Sequence, residues 1–164
     1  MTNQNTEIPY KRTRPSWDEY FMNIAEIAKT RSNCIRRQVG AVLVNEKHQI
    51  ISTGYNGVPR GIVHCTKDTC TKLYEESGEK NEICPAVHAE LNAILQAATA
   101  GISSEGTTLY STTRPCGNCT MAIINAGIKR VVYIEDYTDP ILRSGWLDSS
   151  NVVFEKYQSK TESK

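Results

Sequence analysis

Residues 107–135 read TTLYSTTRPCGNCTMAIINAGIKRVVYIE. TTLYST (107–112) and RVVYIE (130–135) are short runs rich in β-branched and aromatic residues, the pattern of buried strands. Between them, Cys116–Ala126 reads as a helix, and Gly127 is placed to close it. A strand, a helix and a strand in immediate succession indicate an α/β sheet rather than a bundle or a sandwich.

The neighbouring segments extend this unit. Residues 88–100 form a second helical run, with Leu91, Ile94, Leu95 and Ala98 on one face and Gly101 at its end. VGAVLVN (39–45) and QIISTGYN (49–56) are β-branched runs separated by a short polar joint, so they read as a hairpin. Residues 16–30 form an amphipathic helix on Phe21, Ile24, Ala25, Ile27 and Ala28, and Ser16 with Glu19 fits a capping box at its start. A short helix near 139–147 and a last strand, NVVFEKY (151–157), complete the series. The expected fold is a three-layer α/β/α domain around one mixed five-stranded sheet, spanning residues 15–157 between polar tails at 1–14 and 158–164. Residues 57–87 show no period, and a loop of that length in a compact domain is functional or tied down.

Composition narrows the function. The 164 residues carry a formal net charge of +1 and 39% hydrophobic residues, which suits neither a disordered chain nor a basic nucleic-acid binder. No apolar run reaches the roughly 18 residues of a membrane span. MTNQNTEIPYKRTRPS has no apolar signal-peptide core, so a cytoplasmic location is expected. Lys11, Arg12 and Arg14 in that stretch read as a solvated basic tail. Six cysteines in a reducing compartment point to metal binding more than to disulfides.

Two motifs carry chemistry. In Pro115-Cys116-Gly117-Asn118-Cys119 the cysteines are three apart at a helix start, so both sulfurs can reach one ion, and the helix N-terminus favours thiolate. Taken alone, this motif also suits a redox dithiol or half of a zinc knuckle. His88-Ala89-Glu90 changes the balance. One His and two Cys make three ligands, which is the set of a catalytic zinc with an open fourth position. Glu90 stands two residues from His88, in the same turn, where it can sit beside that position and take a proton from water. Singly, His88 could be a half-buried helix-start histidine and Glu90 a helix-dipole charge. Their joint occurrence with PCxxC argues otherwise.

H-x-E…P-C-x-x-C is the signature of the zinc nucleobase deaminases. The stretches VGAVLVN, STGYNGVPRG, VHAELNAILQAA, TLYSTTRPCGNC and IINAGIKRVVYIEDY resemble the deoxycytidylate (dCMP) deaminase family over roughly residues 16–140. The segment after Tyr137 resembles it less. The resemblance implies a cytidine deaminase-like fold and hydrolytic deamination of dCMP to dUMP. In that reaction zinc-activated water attacks C4 and Glu90 shuttles the protons. It also makes Asn56 and Tyr137 substrate contacts, although from the residues alone Asn56 in GYNG reads as a turn residue and Tyr137 as a half-buried aromatic. Arg36, Arg37, Arg60, Lys67 and Arg114 are open candidates for the phosphate.

Cys34, Cys65, Cys70 and Cys84 could close a second, structural zinc site that staples the 57–87 loop, with His64 as an alternative ligand. Family members carrying a second zinc in this region strengthen that expectation, and buried free thiols are the competing one. The resemblance further implies a homohexamer regulated by dCTP and dTTP, with Mg²⁺ accompanying a triphosphate effector. Two rival functions remain at this level. One is deamination of another base, for which a nucleic-acid substrate would want a basic surface. The other is a non-catalytic zinc module, which would have no use for Glu90.

Overall fold

The structure is a computed structural model and describes residues 14–158. The tails expected at 1–14 and 158–164 lie almost wholly outside those residues. The described chain folds into α1 (Trp17–Lys29), β1 (Gly40–Val44), β2 (Ile50–Tyr55), α2 (Ala89–Thr99), β3 (Thr108–Thr113), α3 (Gly117–Asn125), β4 (Arg130–Glu135), α4 (Pro140–Arg143) and β5 (Val153–Lys156). Short 3₁₀ turns lie at Asn81–Ile83 and Trp146–Ser149. No helix among the described residues is long and apolar enough to cross a membrane.

The five strands form one sheet in the order β2-β1-β3-β4-β5. β1 is antiparallel to both β2 and β3, whereas β3–β4 and β4–β5 are parallel. The sheet is therefore mixed, as expected. Its strands divide their side chains between two faces, as a period of two requires. Val42, Val44, Tyr110 and Val132 meet Phe21, Met22 and Ala25 of α1 on one face. Ala41, Leu43, Leu109 and Val131 meet Ala89, Ala93 and Ala97 of α2 and Ile123 of α3 on the other. Every residue of β1 is buried because it is covered on both faces.

At the start of α1, Ser16 Oγ accepts from the Glu19 N–H at 3.2 Å. Arg130 on β4 donates to both carboxylate oxygens of Asp18 at 2.8 and 2.9 Å, and Tyr110 OH donates to Asp18 at 2.7 Å. Those bonds, with Arg130's first among them, hold the Asp18 carboxyl below its ordinary range.

Two glycines set the distance between layers. A Cβ on Gly40 would stand 2.1 Å from Ala25 O, and one on Gly54 would stand 2.0 Å from Ala89 O and 2.6 Å from Ala93 N. The backbones of α1 and α2 thus lie directly against β1 and β2. This contact corrects the face expected for α2. The side chains it turns fully inward are Ala89, Glu90, Ala93 and Ala97, while Leu95 is exposed and Leu91 and Ile94 are partly buried. Only small residues fit where a helix backbone rests on a strand backbone.

Candidate active site

α2 and α3 present their N-termini at one edge of the sheet. His88 is the N-cap of α2 and Cys116 the N-cap of α3, both with extended backbone. The Pro115 ring precedes the first turn of α3, and Cys119 lies one turn inside it. His88 Nδ1 is 3.3 Å from Cys116 Sγ and 3.4 Å from Cys119 Sγ. Zinc–nitrogen and zinc–sulfur bonds at a tetrahedral angle place N and S about 3.5 Å apart. These three ligand atoms lie within 4.8 Å of one another, the only such His, Cys or acidic group of three or more among the described residues. The donor set and its spacing fit zinc.

Glu90 follows in the first turn of α2 and is 4% exposed. Its Oε2 accepts from Cys119 Sγ at 3.8 Å, so the carboxylate borders the metal position. Burial pushes its pKa up to about 7, against an opposing pull from His88. A carboxylate poised there suits proton transfer near neutrality. The Cys119 backbone N–H donates to Cys116 Sγ at 3.5 Å. The neighbouring Cys119 and His88 lower the Cys116 thiol, while Cys116, burial and Glu90 push the Cys119 thiol up.

The same cavity is lined by Asn56 and Tyr137. Neither Asn56 nor Gly57 has the positive φ that an Asn-Gly turn would use. Asn56 is instead a clip. Its Oδ1 accepts from Ser32 Oγ at 2.7 Å and from the Val39 N–H at 2.8 Å, and its Nδ2 donates to Arg37 O at 2.8 Å. A carboxamide offers two donors and an oxygen with two lone pairs, so one N–H remains for a ligand. Gly57 pairs with Val87 in an isolated bridge, which closes the mouth of the 57–87 loop. Tyr137 is half-buried; its OH accepts from Asn81 Nδ2 at 2.9 Å, and Arg37 lies 5.8 Å above its ring.

Cys34, Cys65, Cys70 and Cys84 are half-buried and line the same cavity. Burial and the neighbouring Cys70, Cys84 and Cys34 sulfurs push the Cys65 thiol up. No three of these ligand atoms come within 4.8 Å of one another. His64 is exposed and lies off the cavity wall. Of the phosphate candidates, Arg36, Arg37 and Arg114 line the cavity and Arg60 and Lys67 do not.

Three further residues escaped the sequence reading. Lys72 and Asn81 lie in the aperiodic loop, where no pattern marks them. Asp139 is buried; its Oδ2 accepts from the Gly117 N–H at 2.8 Å and its Oδ1 from the Leu142 N–H at 2.9 Å, so it locks α4 onto the start of α3. Asp139-Pro140, an N-cap followed by proline at the first helical position, was its readable sign.

The family model for the cytidine and deoxycytidylate deaminase zinc-binding region matches residues 15–135. The chain belongs to this family. It is 40% identical over 148 residues to a deoxycytidylate deaminase of Schizosaccharomyces pombe, covering 89% of this chain and 45% of that protein. It is 42% identical over 130 residues to the deoxycytidylate deaminase of Mycobacterium phage D29, covering 74% of this chain and 96% of that one. The chain thus spans less than half the length of the yeast relative and nearly the whole phage one. A crystal structure of the dCMP deaminase from cyanophage S-TIM5 in complex with dCMP and dUMP matches with a TM-score of 0.71 and 31% identity, covering 89% of this chain and all of that one. Its likeness extends the family match to the mixed sheet and its helices.

Proposed function

We propose that this deaminase-family chain hydrolyses dCMP to dUMP and ammonia, supplying dUMP for thymidylate synthesis. The observation that carries the reading is the buried Glu90 carboxylate beside the His88, Cys116 and Cys119 ligand atoms. A zinc ion held by His88, Cys116 and Cys119 would supply Lewis acidity and make a water there acidic, with a pKa of ~7. Glu90 takes a proton from the attacking water and delivers it to N3 of the base, then takes the second proton from the oxygen now on C4 and delivers it to the departing amine. The added water leaves its oxygen on C4, and the C4–N bond breaks to release ammonia. Tyr137 covers the base, and the remaining Asn56 N–H donates to a polar edge of the nucleoside.

The walls support a phosphorylated substrate. Arg36, Arg37, Lys72 and Arg114 line the cavity, against the single carboxylate of Glu90. No ion pair engages any of the four among the described residues. Thr113 Oγ1 and Arg114 Nε, of two residues that also line the cavity, are buried without a hydrogen-bond partner among the described residues. Ammonia release from dCMP, dCTP, deoxycytidine, cytosine and an RNA hairpin tests the assignment. Turnover should be fastest on dCMP, and a preference for the hairpin or free base would replace it.

A second zinc on Cys34, Cys65, Cys70 and Cys84 is part of the same proposal. It is supported by four free thiols lining one cavity and by a loop with little core of its own. Two zinc ions per chain in metal analysis is the expected count. Exposed Ile27, Ile50 and Leu95 support self-association, proposed here as a homohexamer, with dCTP and dTTP as effectors and Mg²⁺ accompanying them. Six free cysteines fit a cytoplasmic setting.

A further inference from the structure

Of the four cations on the cavity wall, three are within reach of solvent. Arg36 and Arg37 are exposed, and Arg114 is half-buried against the Tyr133 ring. Lys72 differs from them, being 5% exposed. Its ammonium donates to Asn81 Oδ1 at 2.6 Å, and no carboxylate pairs with it among the described residues. An ammonium has three donors, and a buried one without a counter-ion is costly to keep. Lys72 is nevertheless one of only two residues of the 57–87 loop that the fold buries, the other being Gly78. The loop therefore spends its burial on a cation that looks into the substrate cavity.

Asn81 ties that cation to Tyr137. The same side chain that accepts from Lys72 donates to Tyr137 OH at 2.9 Å. One amide thus holds both the ammonium and the aromatic ring at the cavity whose lining includes His88 and Cys116. The base end and the anion end of a nucleotide are given separate, mutually tied anchors.

We propose that Lys72 is the counter-ion of the substrate's 5′-phosphate, and so the residue by which this site distinguishes a nucleoside monophosphate from a nucleoside. This inference rests on the deaminase reading above for its substrate. The competing role is local: Lys72 lies two residues from Cys70 and could instead balance the thiolates of the four-cysteine cluster.

The test compares Lys72→Met and Lys72→Arg with the wild type, using kcat/KM for dCMP and for deoxycytidine together with zinc content. Lys72→Met should lose about 30-fold or more on dCMP, the scale for removing one partner of a buried charge pair. Its deoxycytidine activity and zinc content should hold, and Lys72→Arg should recover part of the dCMP loss. Parallel losses on both substrates, or zinc lost with the charge, would assign Lys72 to the thiolate cluster and overturn the proposal. A second measurement needs neither variant folding nor turnover. Acetylation of Lys72 in wild-type protein, followed by mass spectrometry, should slow several-fold in inorganic phosphate while Lys80 and Lys156 react as before. Unchanged labelling of Lys72 would overturn the proposal even if the deaminase assignment stood. Phosphate protection in a protein that deaminated nothing would keep the anion site and discard the substrate.

Discussion

The two thiol groups at the cavity are built on opposite plans. His88, Cys116 and Cys119 sit at the starts of helices that lie on the sheet, and their ligand atoms stand 3.3–3.4 Å apart from the imidazole. Cys65, Cys70 and Cys84 hang on turns of a segment in which no apolar side chain is buried. A site whose ligands ride on packed elements is preorganised, so its metal is free to contribute chemistry. The zinc proposed for the site on turns would have to order it, and would contribute stability.

Substitutions on the two sides should therefore separate activity from order. Cys116→Ser should abolish measurable turnover, a loss of about 10³-fold or more since the metal-activated water goes with the ion. The melting temperature should move little. Cys70→Ser should do the reverse, leaving the catalytic zinc in place while opening residues 57–87 to proteolysis. Metal analysis and limited proteolysis on both variants read the contrast. Equal effects of the two substitutions on activity and on proteolysis would dissolve it.

Glu90 gives the next largest effect, in chelated, metal-free protein. The folded state holds its proton up to about pH 7, whereas the unfolded chain releases it near the ordinary 4.5. The folded state binds more protons between those values, so stability falls as pH rises from 4.5 to 7, by about 3 kcal/mol from this group. Above 7 its contribution is flat. Glu90→Gln should remove that fall in urea melts of the chelated protein. A wild-type-like slope in the variant would show that Glu90 is not held protonated.

The glycines of GYNG sharpen the structural half of the comparison. A Cβ at Gly54 meets the α2 backbone at 2.0 Å, whereas one at Gly57 finds its nearest neighbour 3.9 Å away. Gly54→Ala should cost about 2 kcal/mol by overpacking and disturb the start of α2, and with it His88. Gly57→Ala should stay within about 0.5 kcal/mol. Thermal denaturation with zinc titration checks both.

The legibility of the sequence follows the same division. The strands, the three long helices and the zinc triad could be read because periodicity and N-cap spacing are local properties. The inward face of α2 could not, because it depends on Gly54 lying under Ala89 and Ala93, a contact made across the sheet. Asn56 could be placed at the cavity from the family resemblance, but not its bonds to Ser32, Val39 and Arg37, which tie together separate segments. Lys72 and Asn81 had no periodic neighbours to mark them. Their significance lies in burial, which a loop sequence does not announce.

Ammonia release from dCMP by zinc-loaded wild type and Glu90→Gln, with zinc counted in the same samples, tests the central claim most directly. The site geometry predicts equal zinc at His88, Cys116 and Cys119 and a turnover lower by about 10²–10⁴ in the variant. Wild-type turnover in Glu90→Gln, or zinc lost in proportion to activity, would contradict it.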